Sequence, residues 1–150
     1  MHKKCFSVKY VFMKSQTTTY KLATKKSKAG LGLFAAEPIK KGAKIIEYIG
    51  EKITTDEANK RGGMYLFELN SKWTIDGKDR KNTARYINHA CGKAANCEAD
   101  IQKGRIWILA KKNIEAGEEL AYDYGAEMFD EFIRPHGCTC PAEKHGGRVD

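Results

Sequence analysis

The sequence predicts a mainly β domain. Three observations carry that prediction. Apolar, aromatic and β-branched residues recur in short runs with alternating polarity. Glycine, proline and asparagine punctuate those runs at close intervals. Only two stretches carry helix signals, and both are short. In chain order, Cys5 to Met13 mixes aromatics with β-branched residues and suits an edge strand. Residues 14–28 are rich in Ser, Thr and Lys and read as a loop or weak strand. Gly30 and Gly32 then open an apolar strand that runs to Ala35. Pro38 and Gly42 bracket a turn that holds Lys40 and Lys41. Ile45, Ile46, Tyr48 and Ile49 form a strong strand that stops at Gly50. Thr54 to Lys60 reads as a short helix, with Thr55 as N-cap, Asp56 and Glu57 in the first turn and Gly62-Gly63 as the stop. Met64 to Leu69 alternates, and Trp73 to Ile75 is its hairpin partner across a turn near Asn70-Ser71. Residues 76–84 are a polar loop. Ile101 to Leu109 makes a hairpin about Gly104, and Asn113 to Gly117 is a turn. Glu127 to Ile133 is the second short helix. From Pro135 the chain is rich in Gly, Cys and charge, a tail that needs a metal or a partner to order.

The composition bounds the class. A chain of 150 residues suits one domain with a real core. A hydrophobic share of 41% and a charged share of 31% describe an ordinary soluble protein. No apolar run approaches the roughly 18–20 residues of a membrane span, so no membrane partner is expected. Lys9 and Lys14 interrupt any signal-peptide core, which argues against secretion by that route. Five cysteines at uneven spacing suit reduced thiols or a metal site better than a disulfide framework, and so an intracellular protein. The net charge of +8 is local. Residues 1–30 hold eight of the 27 basic side chains and no acid; the remaining nineteen are matched by nineteen acids. That basic arm reads either as a solvated extension or as a contact for a polyanion such as DNA or RNA.

Four segments concentrate chemistry. Gly30-x-Gly32 lets a backbone approach a ligand without an intervening Cβ, although the third glycine and long helix of a dinucleotide fingerprint are missing. Tyr65 sits in an alternating strand, Tyr65-Leu66-Phe67-Glu68-Leu69. Arg85-Tyr86-Ile87-Asn88-His89-Ala90-Cys91 runs from apolar residues straight into polar and reactive ones, which a plain core strand does not do. Tyr122-Asp123-Tyr124 puts two phenols at i and i+2, on one face of an extended strand.

Taken in order, these segments resemble the SET domain, the fold of protein-lysine methyltransferases that use S-adenosylmethionine. Lys28-Ala29-Gly30-Leu31-Gly32-Leu33-Phe34-Ala35 resembles the first motif, and Tyr48-Ile49-Gly50-Glu51 the next segment. Asp76-Gly77 and Asn82-x-Ala84-Arg85 lead into the Asn88-His89 motif, which Asn96 closes. Gly117-Glu118-Glu119-Leu120-Ala121-Tyr122-Asp123-Tyr124-Gly125 resembles the last motif. The sequence departs from the family at Ala90, where a serine is usual. It departs again between Cys91 and Asn96, where two residues are added and a proline is missing.

The resemblance implies several small twisted sheets, a pseudoknot-like C-terminal segment and few short helices. It divides the chain into a basic N-terminal arm (1–21), the SET domain (22–125) and a post-SET-like tail (126–150). It implies a cofactor site formed by Ala29, Gly30, Leu31, Gly32, Tyr65, Arg85, Asn88, His89 and Tyr124. The Asn88 side chain would hold the cofactor's amino acid moiety, and the His89 backbone its adenine. Tyr124 would be the catalytic tyrosine, Tyr65 would line the lysine channel, and Tyr122 would govern how many methyl groups are added, with a lean toward mono-methylation. Post-SET tails carry Cys-x-Cys-x4-Cys, three thiolates that join the motif cysteine around zinc. Here Cys138 and Cys140 stand in place and His145 takes the third position, giving a candidate zinc set of Cys91, Cys138, Cys140 and His145. Cys97 is an alternative ligand, and a free tail with unligated cysteines the other reading. The expected substrate is a protein lysine, with a histone tail or another basic, nucleic-acid-associated protein as the target. The expected location is the nucleus or chromosome in a eukaryote, or the cytoplasm or a host cell for a bacterial enzyme. Two other readings remain: a zinc-stabilised nucleic-acid-binding protein, and a catalytically inactive SET-like binding module.

Overall fold

The computed structural model describes residues 16–145. The edge strand expected at 5–13 lies outside the described residues, as does most of the basic arm. Among the described residues, ten strands fall into three small sheets. β1 (Leu22–Ser27) and β2 (Gly30–Ala35) form an antiparallel hairpin in the register Leu22↔Ala35 to Ser27↔Gly30. The weak strand read within 14–28 is therefore ordered by its partner. Gly30 supports the turn with φ 101°, a conformation that a side chain disfavours.

The largest sheet takes the order β3-β9-β8-β10-β7. β3 (Lys44–Tyr48) pairs antiparallel with β9 (Arg105–Ala110), and β9 with β8 (Cys97–Gln102) across the expected turn at Lys103-Gly104. Neighbouring Ile45 and Ile46 are both fully buried, which a regular strand forbids on one face. A register shift between Lys44 and Ile46 accounts for part of this. Residues 17–19 also pair along the free edge of β3: Glu47 N–H donates to Thr17 O at 3.0 Å, and Thr18 bridges Ile46. The core gathers between this sheet and β2: Leu33, Ile39, Ile46, Ile87, Ile106, Ile108, Ile114 and Leu120 are buried together.

The third sheet, in the order β4-β6-β5, joins β4 (Glu51–Thr54), β6 (Trp73–Asp76) and β5 (Leu66–Glu68). Helix α1 (Thr55–Arg61) follows β4 directly. Its N-cap is Thr54, not the expected Thr55. Thr54 keeps extended backbone angles and its hydroxyl accepts from Glu57 N–H at 3.1 Å, whereas the Thr55 hydroxyl turns to Thr74 at 3.2 Å.

β10 (Ala121–Tyr122) pairs in parallel with β7 (Asn88–His89) on one side and β8 on the other. Those two flanking strands are consecutive in sequence, so the C-terminal segment threads between neighbours, as the pseudoknot-like arrangement requires. Asn96 fastens the threaded strand: its Nδ2 donates to Glu119 O at 2.8 Å and its Oδ1 accepts from Ala121 N–H at 2.9 Å. The second helix begins as α2 (Ala126–Met128) and continues through a wider turn at Phe129–Ile133 to a tight one at Arg134–His136, a longer helical stretch than expected. No helix among the described residues is long and apolar enough to cross a membrane.

Candidate active site and metal centre

Threading delivers Tyr122 and Tyr124 to one place. Their rings lie 4.8 Å apart, on the shared face that the i, i+2 spacing predicts. Both line a cleft of about 670 Å³, together with Tyr48, Tyr65, Phe67 and Arg85. The Tyr48 hydroxyl donates to Tyr65 O at 2.8 Å and fixes one wall. The Tyr124 hydroxyl donates to Ile87 O. Burial pushes the phenols of Tyr48, Tyr122 and Tyr124 above the ordinary tyrosine value, with the neighbouring phenols adding to the effect at Tyr124. These hydroxyls are therefore neutral at pH 7.

A second cleft, of about 350 Å³, is lined by Lys28, Ala29, Asn88, His89 and Tyr124, and closed by residues of the 132–139 stretch. Tyr124, Met64 and Phe132 line both clefts. Asn88 is held by two acceptors, Leu31 O at 3.0 Å and Glu119 Oε1 at 2.9 Å. The His89 ring is neutral in character: burial lowers its pKa, against the opposing pull of Asp123. Its Nδ1 accepts from Tyr124 N–H at 3.1 Å.

The residues expected at a cofactor site divide between these clefts. Ala29, Asn88, His89 and Tyr124 share the smaller one. Tyr65 and Arg85 lie in the larger, where the Arg85 guanidinium stacks 4.2 Å from the Tyr65 ring centre and donates to Lys78 O. Gly30, Leu31 and Gly32 border neither. The space a Cβ on Gly32 would need is filled by Glu119, whose Oε1 lies 2.3 Å from the ideal Cβ position. Gly32 thus admits a carboxylate of this chain. Sequence reasoning missed Tyr48, Phe67 and Glu119 as parts of the site. Tyr48 carried a signal, since it shares a strand parity with the buried Ile46; Glu119 carried one only as a member of the stretch from Gly117 to Gly125.

The tail converges on the Asn-His motif. Ligand atoms of Cys91, Cys138, Cys140 and His145 all lie within 4.8 Å of one another. Sγ of Cys91 is 3.7 Å from that of Cys138 and 3.5 Å from His145 Nδ1. Cys140 Sγ is 3.4 Å from Cys138 Sγ and 3.3 Å from His145 Nδ1. Zinc–sulfur bonds of ~2.3 Å set a tetrahedral edge of about 3.8 Å, so the donor set fits one such ion with small adjustments. Burial pushes the Cys138 thiol up to about 12 and also opposes ionisation of Cys140. Backbone N–H groups of Cys91 and Ala142, together with hydrogen bonds from the Cys138 and Cys91 side chains, outweigh that at Cys140 and bring it down to about 7. Cys97, the alternative ligand, lies outside this group, and burial pushes its thiol up to about 12. It lines the larger cleft instead.

Residues 30–125 match the SET domain family model. The chain is 41% identical over 125 residues to the histone-lysine N-methyltransferase trr of Drosophila melanogaster, covering 75% of this chain and 5% of that protein. It is 39% identical over 114 residues to human histone-lysine N-methyltransferase 2D, covering 68% of this chain and 2% of that protein. Against histone-lysine N-methyltransferase ATXR7 of Arabidopsis thaliana it is 37% identical over 123 residues, 73% of this chain and 8% of that protein. The chain therefore spans under a tenth of the length of each of these relatives. The matched stretch contains every motif from Gly30 to Tyr124, and the chain belongs to the SET-domain family.

Proposed function

We propose that this chain transfers methyl groups from S-adenosylmethionine to the ε-amine of lysine in proteins. The proposed substrates are histones or other basic, nucleic-acid-associated proteins, and the proposed setting is chromatin. The observation that carries the reading is that Tyr124 is shared by two clefts of different character. The smaller has Asn88, His89 and Ala29 for the cofactor; the larger has an aromatic wall for the lysine. The names of the relatives support the substrate class.

When bound, S-adenosylmethionine supplies a methyl group on a positively charged sulfur, an electrophile that needs mainly placement and desolvation from the protein. The chain's own residues do that work. Asn88, tied to Leu31 and Glu119, presents a fixed amide at the cofactor end. Tyr48, Tyr65, Phe67 and Tyr122 strip water from the entering side chain. A free lysine holds its proton up to a pKa of ~10.4, and a dry aromatic wall disfavours the ammonium. Tyr124 donates its own proton to Ile87 O, so the lone pairs of its oxygen remain available to the polarised methyl C–H groups. The tyrosines supply no strong base, so the amine must lose its proton before attack, to water or to a carboxylate of the same cleft such as Asp123 or Glu127. Tyr122 limits the room beside the amine, which supports mono-methylation. Cys91, Cys138, Cys140 and His145 would hold one zinc ion, whose role is to fold the tail onto the smaller cleft.

The test is transfer of labelled methyl from S-adenosylmethionine to purified histones and to a total lysate, with mass spectrometry of the products. Label on lysine in a basic protein is the expected result. Label on no protein, with cofactor bound, would overturn the reading.

A further inference from the structure

The side chain of His89 touches two systems. Its Nδ1 accepts from the backbone N–H of Tyr124 at 3.1 Å, and its Nε2 lies 3.1 Å from Cys91 Sγ. An acceptor at Nδ1 places the single proton of the neutral ring on Nε2. That N–H then points its hydrogen bond at a sulfur of the tail cluster. The ring is buried, with an edge contact to Tyr124 at 5.3 Å and a second contact to Phe129 at 5.2 Å. It has little freedom to turn.

Asp123 braces the same junction. Its carboxylate accepts from Gly92 N–H at 2.8 Å and Gly125 N–H at 2.9 Å, which ties the residue after Cys91 to the residue after Tyr124. Its nearer oxygen is 3.9 Å from His89 Nδ1, beyond hydrogen-bond range, so it does not compete with the Tyr124 amide.

We propose that His89, through its imidazole, is a positioning residue that couples the Cys91–Cys138–Cys140–His145 cluster to the backbone of Tyr124. The inference rests on the zinc and methyl-transfer readings above. A thiolate at Cys91 is the stronger acceptor for Nε2–H, and it locks the tautomer whose Nδ1 receives Tyr124. Loss of the ion loosens that lock, and the Tyr124 hydroxyl shifts relative to Ile87 O. The metal therefore does more than fold the tail. It sets the catalytic phenol, at one remove.

Three substitutions separate the two ends of the bridge. His89→Gln keeps an amide donor at the reach of Nε2, while His89→Asn keeps an acceptor near the position of Nδ1. His89→Phe keeps the ring volume and removes both. Zinc affinity of the full chain, read by competition with a chromophoric chelator, is expected to fall about 10–100-fold in His89→Asn and His89→Phe and much less in His89→Gln. With zinc bound, kcat is expected to fall in His89→Gln with KM for a lysine peptide unchanged. A measurement on the unaltered chain needs no variant: imidazole 15N NMR is expected to show the Nε2–H tautomer with zinc and exchange between tautomers once it is chelated. Zinc affinity unchanged in His89→Phe, or an Nδ1–H tautomer in the zinc-bound chain, overturns the coupling alone. An unaltered chain that binds no zinc overturns the metal reading and the coupling together. One that binds zinc and shows the expected tautomer but transfers no methyl leaves the bridge standing and overturns the enzyme reading.

Discussion

Gly32→Ala is the most informative single change outside the aromatic cleft. Gly32 sits in β2 with no positive φ, so alanine brings a methyl group without backbone strain. That methyl would lie 2.3 Å from Glu119 Oε1 and 3.0 Å from both Glu119 Cδ and Ser27 Cβ. The carboxylate must move, and it then leaves Asn88 Nδ2, which it now accepts from at 2.9 Å. A hydrogen bond to a charged group contributes ~1.5–3 kcal/mol. Against this, alanine lowers the entropy of the unfolded chain and returns ~0.4–1 kcal/mol. The expected net loss is about 1–2 kcal/mol, or a Tm lower by about 3–6 °C for a chain of this size. Asn88 keeps Leu31 O as its second tether, so binding of S-adenosylhomocysteine should weaken by no more than about tenfold, ~1.4 kcal/mol. Calorimetry reads both quantities. Gly32→Ala combined with Glu119→Ala supplies the control. With the carboxylate gone only the 3.0 Å approach to Ser27 Cβ remains, so adding Gly32→Ala to Glu119→Ala should cost clearly less than Gly32→Ala costs alone. Strictly additive losses, or a Gly32→Ala protein with unchanged Tm and affinity, would refute the idea that Gly32 exists to admit Glu119.

Four further outcomes are expected. Tyr122→Phe removes a hydroxyl beside the amine and should raise the di- and tri-methyl share of the product in mass spectra, with total turnover changed less than tenfold. Chelation of zinc should increase hydrogen exchange across residues 135–145 and the Cys91 loop while leaving the β8–β9 hairpin protected, because that hairpin has its own ladder of pairs. The phenols of Tyr48, Tyr122 and Tyr124 are raised by burial, so the unfolded chain ionises its tyrosines first. Their contribution to stability is thus complete below about pH 10, the ordinary phenol value, and is lost as pH rises beyond it. Methyl transfer should accordingly climb with pH as lysine deprotonates, with no descending limb from phenol ionisation below about pH 10.

Local chemistry was legible from the chain, and long-range packing was not. Tyr122 and Tyr124 announced a shared face because strand parity is a local property. The convergence of Cys91 with Cys138, Cys140 and His145 was readable only through resemblance, since 47 residues separate the first two. The partner of Gly32 is Glu119, far along the chain, and no spacing rule links a missing Cβ to a distant carboxylate. The pairing of residues 17–19 with β3 was hidden in a Thr-rich run with no apolar alternation. The N-cap moved from Thr55 to Thr54 because two adjacent threonines offer the same hydroxyl, and the contact with Thr74 decides between them. Arg85 was placed with the cofactor by motif; its stacking on Tyr65 and its place in the lining of the larger cleft were not legible in the sequence.

A single-turnover measurement on Tyr124→Phe bears most directly on the shared-wall geometry. The removed hydroxyl is the one held at Ile87 O between the two clefts. Affinity for S-adenosylhomocysteine should remain within about threefold (under ~0.7 kcal/mol), while the rate of methyl transfer to a lysine peptide drops by at least about a hundredfold, ~2.7 kcal/mol of barrier. Transfer at the unaltered rate, or loss of cofactor binding in step with the rate, would contradict the placement of Tyr124 between donor and acceptor.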